Sequence, residues 1–310
     1  MLNGNDLPTT LQEAILYFSD ADNCLNLARS LRWENGIAIC PKCESTELSF
    51  LTTRRIWKCK KCKKQFSVKV GTIFEDSPLG LDKWLTAMWL IVNAKNGISS
   101  YELGRALGFK QKTAWFVLHR IRRAMQTGSF QKLSGNVEVD ETYIGGLAKN
   151  MHKDKREKKI QGRGSVGKTA VMGLLEREGR VKAIVIEKTD RETLHNEVKN
   201  NVEQGTNLFT DEWRSYRGLD EQYNHKVINH GIEYVRGQIH TNGIENFWSL
   251  LKRTIKGTYV SVEPFHLGRY LDEQTFRFNE RKGKDKDRFL KAVGMISGKR
   301  LTYKELTNKF

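Results

Sequence analysis

Four of the five cysteines form two close pairs, and this spacing constrains the fold more than any other feature. Fifteen residues separate the pair Cys40 and Cys43 from the pair Cys59 and Cys62. Two turns that each present two thiolates can complete a tetrahedral zinc site with no open position. A single pair would be enough for redox chemistry, so we predict a zinc ribbon with one structural Zn²⁺. Such an ion would fold a module too small to be stable alone.

The chain carries a large excess of positive charge. Its 310 residues include 53 Lys+Arg and 36 Asp+Glu, which gives a formal net charge of +17. This excess attracts polyanions, of which double-stranded DNA is the densest common one; a merely soluble, cationic surface is the plainer interpretation. The 38% of hydrophobic residues is enough for folded cores and excludes a disordered chain. No stretch approaches the roughly 18 apolar residues of a membrane helix, and no secretory signal is visible.

The segment after the ribbon has the pattern of a helix-turn-helix. A helix over residues 81–93 is followed by Tyr101–Leu107, which ends at Gly108, and by a longer basic helix, Gln111–Met125. Two helices joined by a glycine-containing turn are typical of this motif, although ordinary helical packing gives the same pattern. The start of the second helix would read base edges and its later arginines would contact phosphate. The residues concerned are Gln111, Lys112, Thr113, Arg120, Arg122 and Arg123.

From residue 136 the pattern becomes that of an α/β domain with a mixed sheet. Strands are predicted over residues 137–144, 169–175, 181–186 and 208–209, with a helix over 191–202 before the last of them. We predict a helical segment at 1–35, the ribbon at 36–70, the helix-turn-helix at 71–130 and the α/β domain at 131–310, with a basic insertion at 148–168.

Three carboxylates occur in this domain at places from which they could converge. Asp140 lies in a strand, Asp211 ends another strand, and Glu245 begins a helix. Together they could bind two Mg²⁺ or Mn²⁺ ions, about 3.5–4 Å apart, that act on both oxygens of a phosphoryl transfer. The alternatives are turn or capping roles for the two aspartates and a favourable helix-dipole position for Glu245.

Two further details favour the metal interpretation. Asp140 alternates with Glu138 and so lies on the same face of the strand. Two acids on one strand face of a basic protein call for an explanation, and a bound metal ion provides one. Lys252 follows Glu245 by two helical turns on the same helix face. With its neighbour Arg253, it would hold DNA against the metals.

A glycine-rich segment at residues 162–169 satisfies the P-loop expression but lacks the P-loop context. A charged run precedes it and strand-like residues follow from Thr169, whereas a P-loop requires a buried strand before it and a helix after it. We therefore predict a basic loop that contacts DNA, and no ATP site.

Several segments match the motifs of one known family. They are Cys-Pro-Lys-Cys at 40–43, Gly-Thr-Ile-Phe at 71–74, Leu-Gly-Arg-Ala-Leu-Gly at 103–108, Val-Asp-Glu-Thr-Tyr-Ile-Gly-Gly at 139–146, Thr-Asp-Glu at 210–212 and His-Thr-Asn-Gly-Ile-Glu at 240–245. In these motifs, over nearly its whole length, the chain resembles the DDE transposases of bacterial insertion sequences that carry an N-terminal zinc ribbon, the ISXO-like group related to Merlin elements.

The resemblance implies a multidomain fold: a zinc ribbon, an all-α helix-turn-helix and an α/β RNase-H-like catalytic domain with a mixed sheet. It also implies that Asp140, Asp211 and an acid of the Asn-Gly-Ile-Glu segment at 242–245 bind the catalytic metals. Members of the group differ between Glu and Asn as the third ligand. We choose Glu245, with Asn242 as the alternative, because a carboxylate holds a hard cation better than an amide.

The function expected from the resemblance is that of a transposase. It would bind the terminal inverted repeats of an insertion sequence, cleave the DNA and transfer the 3′ end to target DNA by a two-metal mechanism, as a homodimer or higher oligomer in the nucleoid of a bacterial cytoplasm. One alternative is a DNA-binding regulator whose C-terminal half serves only in dimerisation. Another is a transposase-derived protein that binds ends and has lost the cutting activity.

Overall fold

The computed structural model describes residues 7–126, 131–146, 153–154, 167–228 and 240–307. One unit of the chain comprises Met1–Gln126 and Glu280–Phe310, and the other comprises Thr127–Asn279. The predicted α/β domain at 131–310 therefore extends too far, because residues 280–310 fold with the N-terminal modules. The predicted basic insertion at 148–168 lies almost wholly outside the described residues.

The helices of the described residues occur in both units. They are α1 (Leu11–Ser19), α2 (Ala21–Arg32), α3 (Leu81–Asn93), α4 (Ser100–Leu107), α5 (Gln111–Met125), α6 (Arg191–Asn201), α7 (Asn242–Thr254), α8 (Leu267–Asn279), α9 (Asp285–Gly294) and α10 (Tyr303–Thr307). No described helix has the length and apolar character that a membrane crossing requires.

The strands form a three-stranded sheet and a five-stranded sheet. The first sheet contains β1 (Leu48–Leu51), β2 (Ile56–Cys59) and β3 (Gln65–Phe66), and the second contains β4 (Asn136–Ile144), β5 (Thr169–Glu176), β6 (Val181–Ile186), β7 (Asn207–Asp211) and β8 (Asn224–Ile228). The small sheet is antiparallel throughout, with β2 in the middle. It is the sheet that the cysteine spacing predicts.

The core of the ribbon is built around one tryptophan of β2. Trp57 is buried, and its ring lies 5.2 Å from that of Trp33 and 6.0 Å from that of Phe66. After Phe66 the chain turns, and the N–H of Val70 donates to the carbonyl of Ser67. The strand therefore ends at Phe66.

Helices α4 and α5 lie where the sequence predicts them. The Ser99 hydroxyl accepts the N–H of Glu102 at 3.1 Å, which is the N-cap arrangement that starts a helix. Gly108 ends α4 with φ of 71°, a left-handed conformation that glycine adopts without strain. The agreement concerns helix positions, and a helix-turn-helix function for this pair remains a prediction.

The last helices of the chain complete the core of the first unit. Phe289 of α9 is buried, with its ring 5.3 Å from that of Phe18 and 5.2 Å from that of Trp89. These contacts join α9 to α1 and α3, although Phe289 follows Trp89 by 200 residues and Phe18 by 271, and neither helix carries a sequence signal for so distant a partner. Aromatic packing of this kind accounts for the difference between the predicted and the observed domain boundary.

The five-stranded sheet is mixed and has the order β6-β5-β4-β7-β8. Strands β4, β5 and β6 pair antiparallel, whereas β7 pairs parallel with both β4 and β8. Strand β8 was not predicted, because it is a mostly polar edge strand in which only Ile228 is buried. A mixed five-stranded sheet with helices is consistent with an RNase-H-like domain.

Alternation along β4 assigns its side chains to the two faces of the sheet. Val137 and Val139 belong to the apolar core that includes Leu194 and Val198 of α6. Their neighbours in the alternation, Glu138 and Asp140, contact α7 on the other face. The two acids therefore share a face, as the sequence predicts.

Close packing of α7 on the sheet depends on a glycine in β5. A Cβ at Gly173 would lie 2.5 Å from Cζ2 of Trp248 and 2.7 Å from Cδ1 of Ile244. We expect Gly173→Ala to lower the free energy of unfolding by about 1–3 kcal/mol through overpacking, measured by urea denaturation. The control is Gly268→Ala, where a Cβ meets no atom within 4 Å; equal losses in the two variants would contradict this account.

Candidate active site

Asp140 and Asp211 lie level with each other on neighbouring parallel strands. The paired residues of β4 and β7 include Glu138 with Phe209, and continuing this register by two residues brings Asp140 opposite Asp211. Both side chains are half-buried. Residues far apart along the chain are thus brought to one edge of the sheet by strand pairing.

Helix α7 holds Asp140 in position from the side of the sheet that it covers. The indole N–H of Trp248 donates to Oδ2 of Asp140 at 3.0 Å, and the indole itself is buried. Burial, together with the negative charges of Asp211 and Glu245, raises the pKa of Asp140 to about 6. The three candidate acids are therefore close enough for their charges to act on one another.

Glu245 lies in the first turn of α7 with an exposed side chain. The hydroxyl of Thr241 donates to its Oε1 at 3.1 Å. The alternative ligand, Asn242, is the first residue of the helix and is also exposed. Both residues lie exposed at the start of α7, and the choice of Glu245 over Asn242 stays a prediction that rests on the preference of a hard cation for a carboxylate.

The donor atoms of the three carboxylates do not all lie within 4.8 Å of one another. Within the described ranges, the one group of possible ligands whose donor atoms all lie within 4.8 Å of one another consists of the four ribbon cysteines. The acids nevertheless fit a divalent cation chemically, because oxygen donors suit Mg²⁺ and a cation would offset both the burial of Asp140 and its repulsion by Asp211, which raise the pKa of Asp140. Their role as metal ligands stays a prediction.

A buried acid that sequence reasoning did not assign connects β4 to the start of α7. Glu138 is buried, and its Oε2 accepts the backbone N–H of Ile244 at 2.9 Å. Its Oε1 accepts Nε of Arg177 at 2.8 Å, and Nη2 of Arg177 donates to the carbonyl of His240 at 2.8 Å. Glu138 and Arg177 thus hold the first turn of α7 against the sheet.

The same contact requires a glycine at the start of α7. A Cβ on Gly243 would lie 2.8 Å from Oε2 of Glu138, so any side chain there would push the helix away from β4. The guanidinium of Arg177 also lies 4.2 Å from the centre of the Phe209 ring. The position of Glu245 therefore depends on the contacts of Glu138 and Arg177 with the start of α7. In the sequence, only the alternation of Glu138 with Asp140 points to these contacts.

The opposite face of β4 carries a half-buried acid, Glu141. The hydroxyl of Tyr216 donates to Oε1 of Glu141. Burial, together with the negative charges of Asp140 and Asp211, raises the pKa of Glu141 to about 8. Glu141 therefore lies on the other face of β4 from Asp140, next to Tyr216 of the apolar core.

Basic side chains line a small pocket at the end of β4. The pocket has a volume of about 230 Å³ and is lined by Lys168, Lys252 and Lys256, with Tyr143, Ile144, Gly145 and Ile255. Lys252 was predicted to hold DNA, and Arg253 next to it is exposed. Thr169 begins β5 directly after Lys168, so the helix that a P-loop requires does not follow the glycine-rich segment.

The four ribbon cysteines form a cluster suited to zinc. The Sγ atoms of Cys40 and Cys62 are 3.5 Å apart, and those of Cys43 and Cys59 are 3.6 Å apart. A tetrahedron of Zn–S bonds about 2.3 Å long has S···S edges of about 3.8 Å, so the cluster fits one structural zinc ion. Cys24 is buried elsewhere, and burial raises the pKa of its thiol to about 12.

The structure corrects part of the predicted DNA surface of α5. Gln111, Lys112, Thr113 and Arg123 are exposed, as the prediction requires. Arg120 and Arg122 are buried, so the prediction that they face phosphate is wrong.

Arg120 is held inside the protein by contacts with its own unit. Its guanidinium donates to the carbonyl of Glu75 and lies 5.2 Å from the centre of the Trp84 ring and 5.3 Å from that of the Phe116 ring. The physical reason is that α5 packs a broad face against the core, so its arginines divide between core and surface.

Comparisons with known proteins agree with the two units and the cysteine cluster. The family described as the transposase zinc-ribbon domain matches residues 19–65, and the family described as the ISXO2-like transposase domain matches residues 132–279. The second match covers nearly the same residues as the unit Thr127–Asn279. Two separate parts of the chain therefore indicate the same kind of protein.

Two relatives extend this result. A protein named "Uncharacterized protein in transposable element ISH50", from Halobacterium salinarum, is 28% identical over 241 residues, which are 74% of this chain and 81% of the relative. An "Uncharacterized transposase-like protein" from Haemophilus influenzae is 30% identical over 115 residues, which are 37% of this chain and 93% of the relative. The chain belongs to the zinc-ribbon transposases with an ISXO2-like domain, the family that its sequence motifs resemble.

Proposed function

We propose that the protein is a DDE transposase that binds the terminal inverted repeats of an insertion sequence, cleaves the DNA and joins the 3′ end to a target. The observation that carries this proposal is geometric: the register of β4 and β7 runs toward Asp140 and Asp211, and Trp248 of α7, the helix that contains Glu245, hydrogen-bonds to Asp140. A regulator that only binds DNA has no need to bring them together. The repulsion between such acids is unfavourable unless a cation offsets it.

Two of the three acids have hydrogen bonds that would orient them toward a metal. Asp140 is oriented by the N–H of Trp248, and Glu245 by the hydroxyl of Thr241 and by the docking of α7 on Glu138. Mg²⁺ or Mn²⁺ bound by these acids and Asp211 would act as a Lewis acid on the phosphoryl oxygens. Lys252 and its lysine neighbours in the basic pocket would hold the phosphates of the cleaved end.

The first unit would recognise the DNA. The zinc ribbon and the exposed start of α5, including Gln111, Lys112 and Thr113, would contact the terminal repeats. Two ends must be joined in one event, so the active species would be at least a dimer on DNA. The test is to incubate the purified protein and Mg²⁺ with the DNA that flanks its own gene and to map nicks. Binding of the ends without any nick at their borders would favour the regulator instead.

The arginines of α5 offer a matched pair of variants for the DNA-binding role. We expect Arg123→Ala to weaken end binding and to lower the slope of log K against log salt by about 1, because Arg123 is exposed and able to contact phosphate. Arg120→Ala should leave that slope unchanged and instead lower the free energy of unfolding by about 1–3 kcal/mol, since its buried hydrogen bond is lost. Fluorescence anisotropy at several salt concentrations measures the slopes, and a lower slope for Arg120→Ala alone would contradict the assignment.

A further inference from the structure

One tryptophan of the chain differs from all the others in its exposure. The sequence contains seven tryptophans, of which six are buried or half-buried. Trp213 has 52% of its surface exposed, and it follows the candidate metal ligand Asp211 by two residues. Single exposed apolar side chains are common on proteins, so its position relative to Asp211 is what calls for an explanation.

The backbone of Trp213 is tied directly to Asp211. The N–H of Trp213 donates to Oδ1 of Asp211 at 3.0 Å. A DNA strand whose phosphate lies at Asp211 would therefore have its neighbouring sugars and bases within reach of the indole. The hydrogen bond fixes the backbone of Trp213 relative to the carboxylate of Asp211.

The segment that follows Trp213 is anchored, although the indole is not. The carbonyl of Trp213 accepts the N–H of Tyr216 at 3.0 Å, and Tyr216 is buried. The hydroxyl of Ser215 donates to the carbonyl of Thr189 at 3.0 Å. Because these contacts secure the loop without the indole, the large apolar ring is not needed to hold the loop in place.

Two exposed arginines follow Trp213 in the same loop. Arg214 and Arg217 are exposed, and no carboxylate of the described residues lies within 4.0 Å of either guanidinium. The same segment also contains Asp211, Glu212, Asp220 and Glu221, so any attraction for phosphate comes from the two arginines themselves and not from a net positive charge of the segment. Proteins bind single-stranded DNA with aromatic rings that stack on bases and with cations that contact the phosphates, and Trp213, Arg214 and Arg217 offer both kinds of side chain.

We propose that Trp213 is a stacking platform for an unpaired nucleobase next to the scissile phosphate, an inference that rests on the proposed function. Stacking needs a base that has left the duplex, which is easiest at a terminal or mismatched position. Every base has an aromatic face, so this contact tolerates any sequence. It would hold the strand in register with Asp211 while Lys252 and the arginines contact phosphates.

The experiment measures binding of end duplexes in which each nucleotide near the cleavage site is replaced, one at a time, by an abasic site. Every protein carries Asp140→Asn so that no DNA is cut. We expect Trp213→Ala to weaken binding of the intact end by about 5- to 150-fold and Trp213→Phe to retain most of the affinity. At the stacked position, the abasic duplex should bind Trp213→Ala and its parent equally.

The control variant is Phe265→Ala, which removes another exposed aromatic ring of the same unit and should match its parent on every duplex. Equal affinities of Trp213→Ala and its parent for the intact end would overturn the stacking proposal, and so would a loss that no abasic position removes. Failure of the proposed function has a different result: the protein without Asp140→Asn would then make no cut at the ends with Mg²⁺.

Discussion

Replacement of Asp140 by alanine is expected to reduce Mg²⁺-dependent cleavage and strand transfer by about 10³-fold or more, while end binding changes by no more than a few fold. The expectation follows from the position of Asp140 opposite Asp211 and from its interaction with Glu245. Without Asp140, two of the three acids remain, and the indole N–H of Trp248 loses its acceptor. Single-turnover cleavage of a labelled end duplex measures the rate, and fluorescence anisotropy measures binding.

The control for this variant is Asp220→Ala, an exposed acid of the same unit that we expect to be neutral in both assays. Circular dichroism of both variants shows whether the fold is kept. Cleavage by Asp140→Ala at the rate of the unmodified protein would mean that the catalytic assignment is wrong. Loss of binding and cleavage together, with the fold intact, would contradict the separation of the two roles.

Replacement of Cys59 by serine is expected to abolish zinc binding and to unfold the ribbon. Cys59 is buried at the end of β2, opposite Leu48 of β1, so its loss affects both the metal site and the small sheet. Zinc contributes about 10–16 kcal/mol of apparent binding free energy in small zinc modules, and most of their folding free energy is that of binding. Metal analysis should show one zinc ion per chain in the unmodified protein and none in Cys59→Ser.

Cys24→Ser is the matched control, because Cys24 is also buried but lies outside the cysteine cluster. It should keep one zinc ion and lose at most a few kcal/mol of stability, since its thiol only fills space and donates to the carbonyl of Phe18. Removal of zinc from the unmodified protein by a chelator should reproduce the Cys59→Ser result. A ribbon that stays folded in Cys59→Ser, with end binding unchanged, would show that the metal is dispensable.

Several parts of the structure were predictable because their signals are local in the sequence. The two cysteine pairs indicate a ribbon, since thiolate spacing in a tight turn is set by a few neighbouring residues. Ser99 and Gly108 mark the ends of α4 through their own backbone conformations and short-range hydrogen bonds. The alternation of Glu138 and Asp140 along β4 assigns both acids to one face without knowledge of what covers it.

Other parts were not predictable because they depend on contacts between distant residues. Arg120 is buried because the carbonyl of Glu75 and the rings of Trp84 and Phe116 surround its guanidinium. The helix sequence carries no signal for these partners, and it therefore predicts a surface position for a basic residue. Strand β8 is mostly polar, so its sequence does not predict a strand. It is a strand because its backbone pairs with that of β7. The same holds for Phe289, whose aromatic partners in α1 and α3 move the domain boundary.

The sequence by itself determined which chemical groups the protein has: four thiolates at zinc spacing, three acids in an α/β domain, and a strongly basic chain with the motifs of a transposase family. The tertiary structure alone decided which of those groups meet. Pairing of β4 with β7 brings Asp140 level with Asp211, and the buried contact of Glu138 with the start of α7 carries Glu245 toward them. Residue types and local periodicity are encoded in neighbouring positions, whereas the proximity of distant side chains follows only from strand order and from the packing of the core.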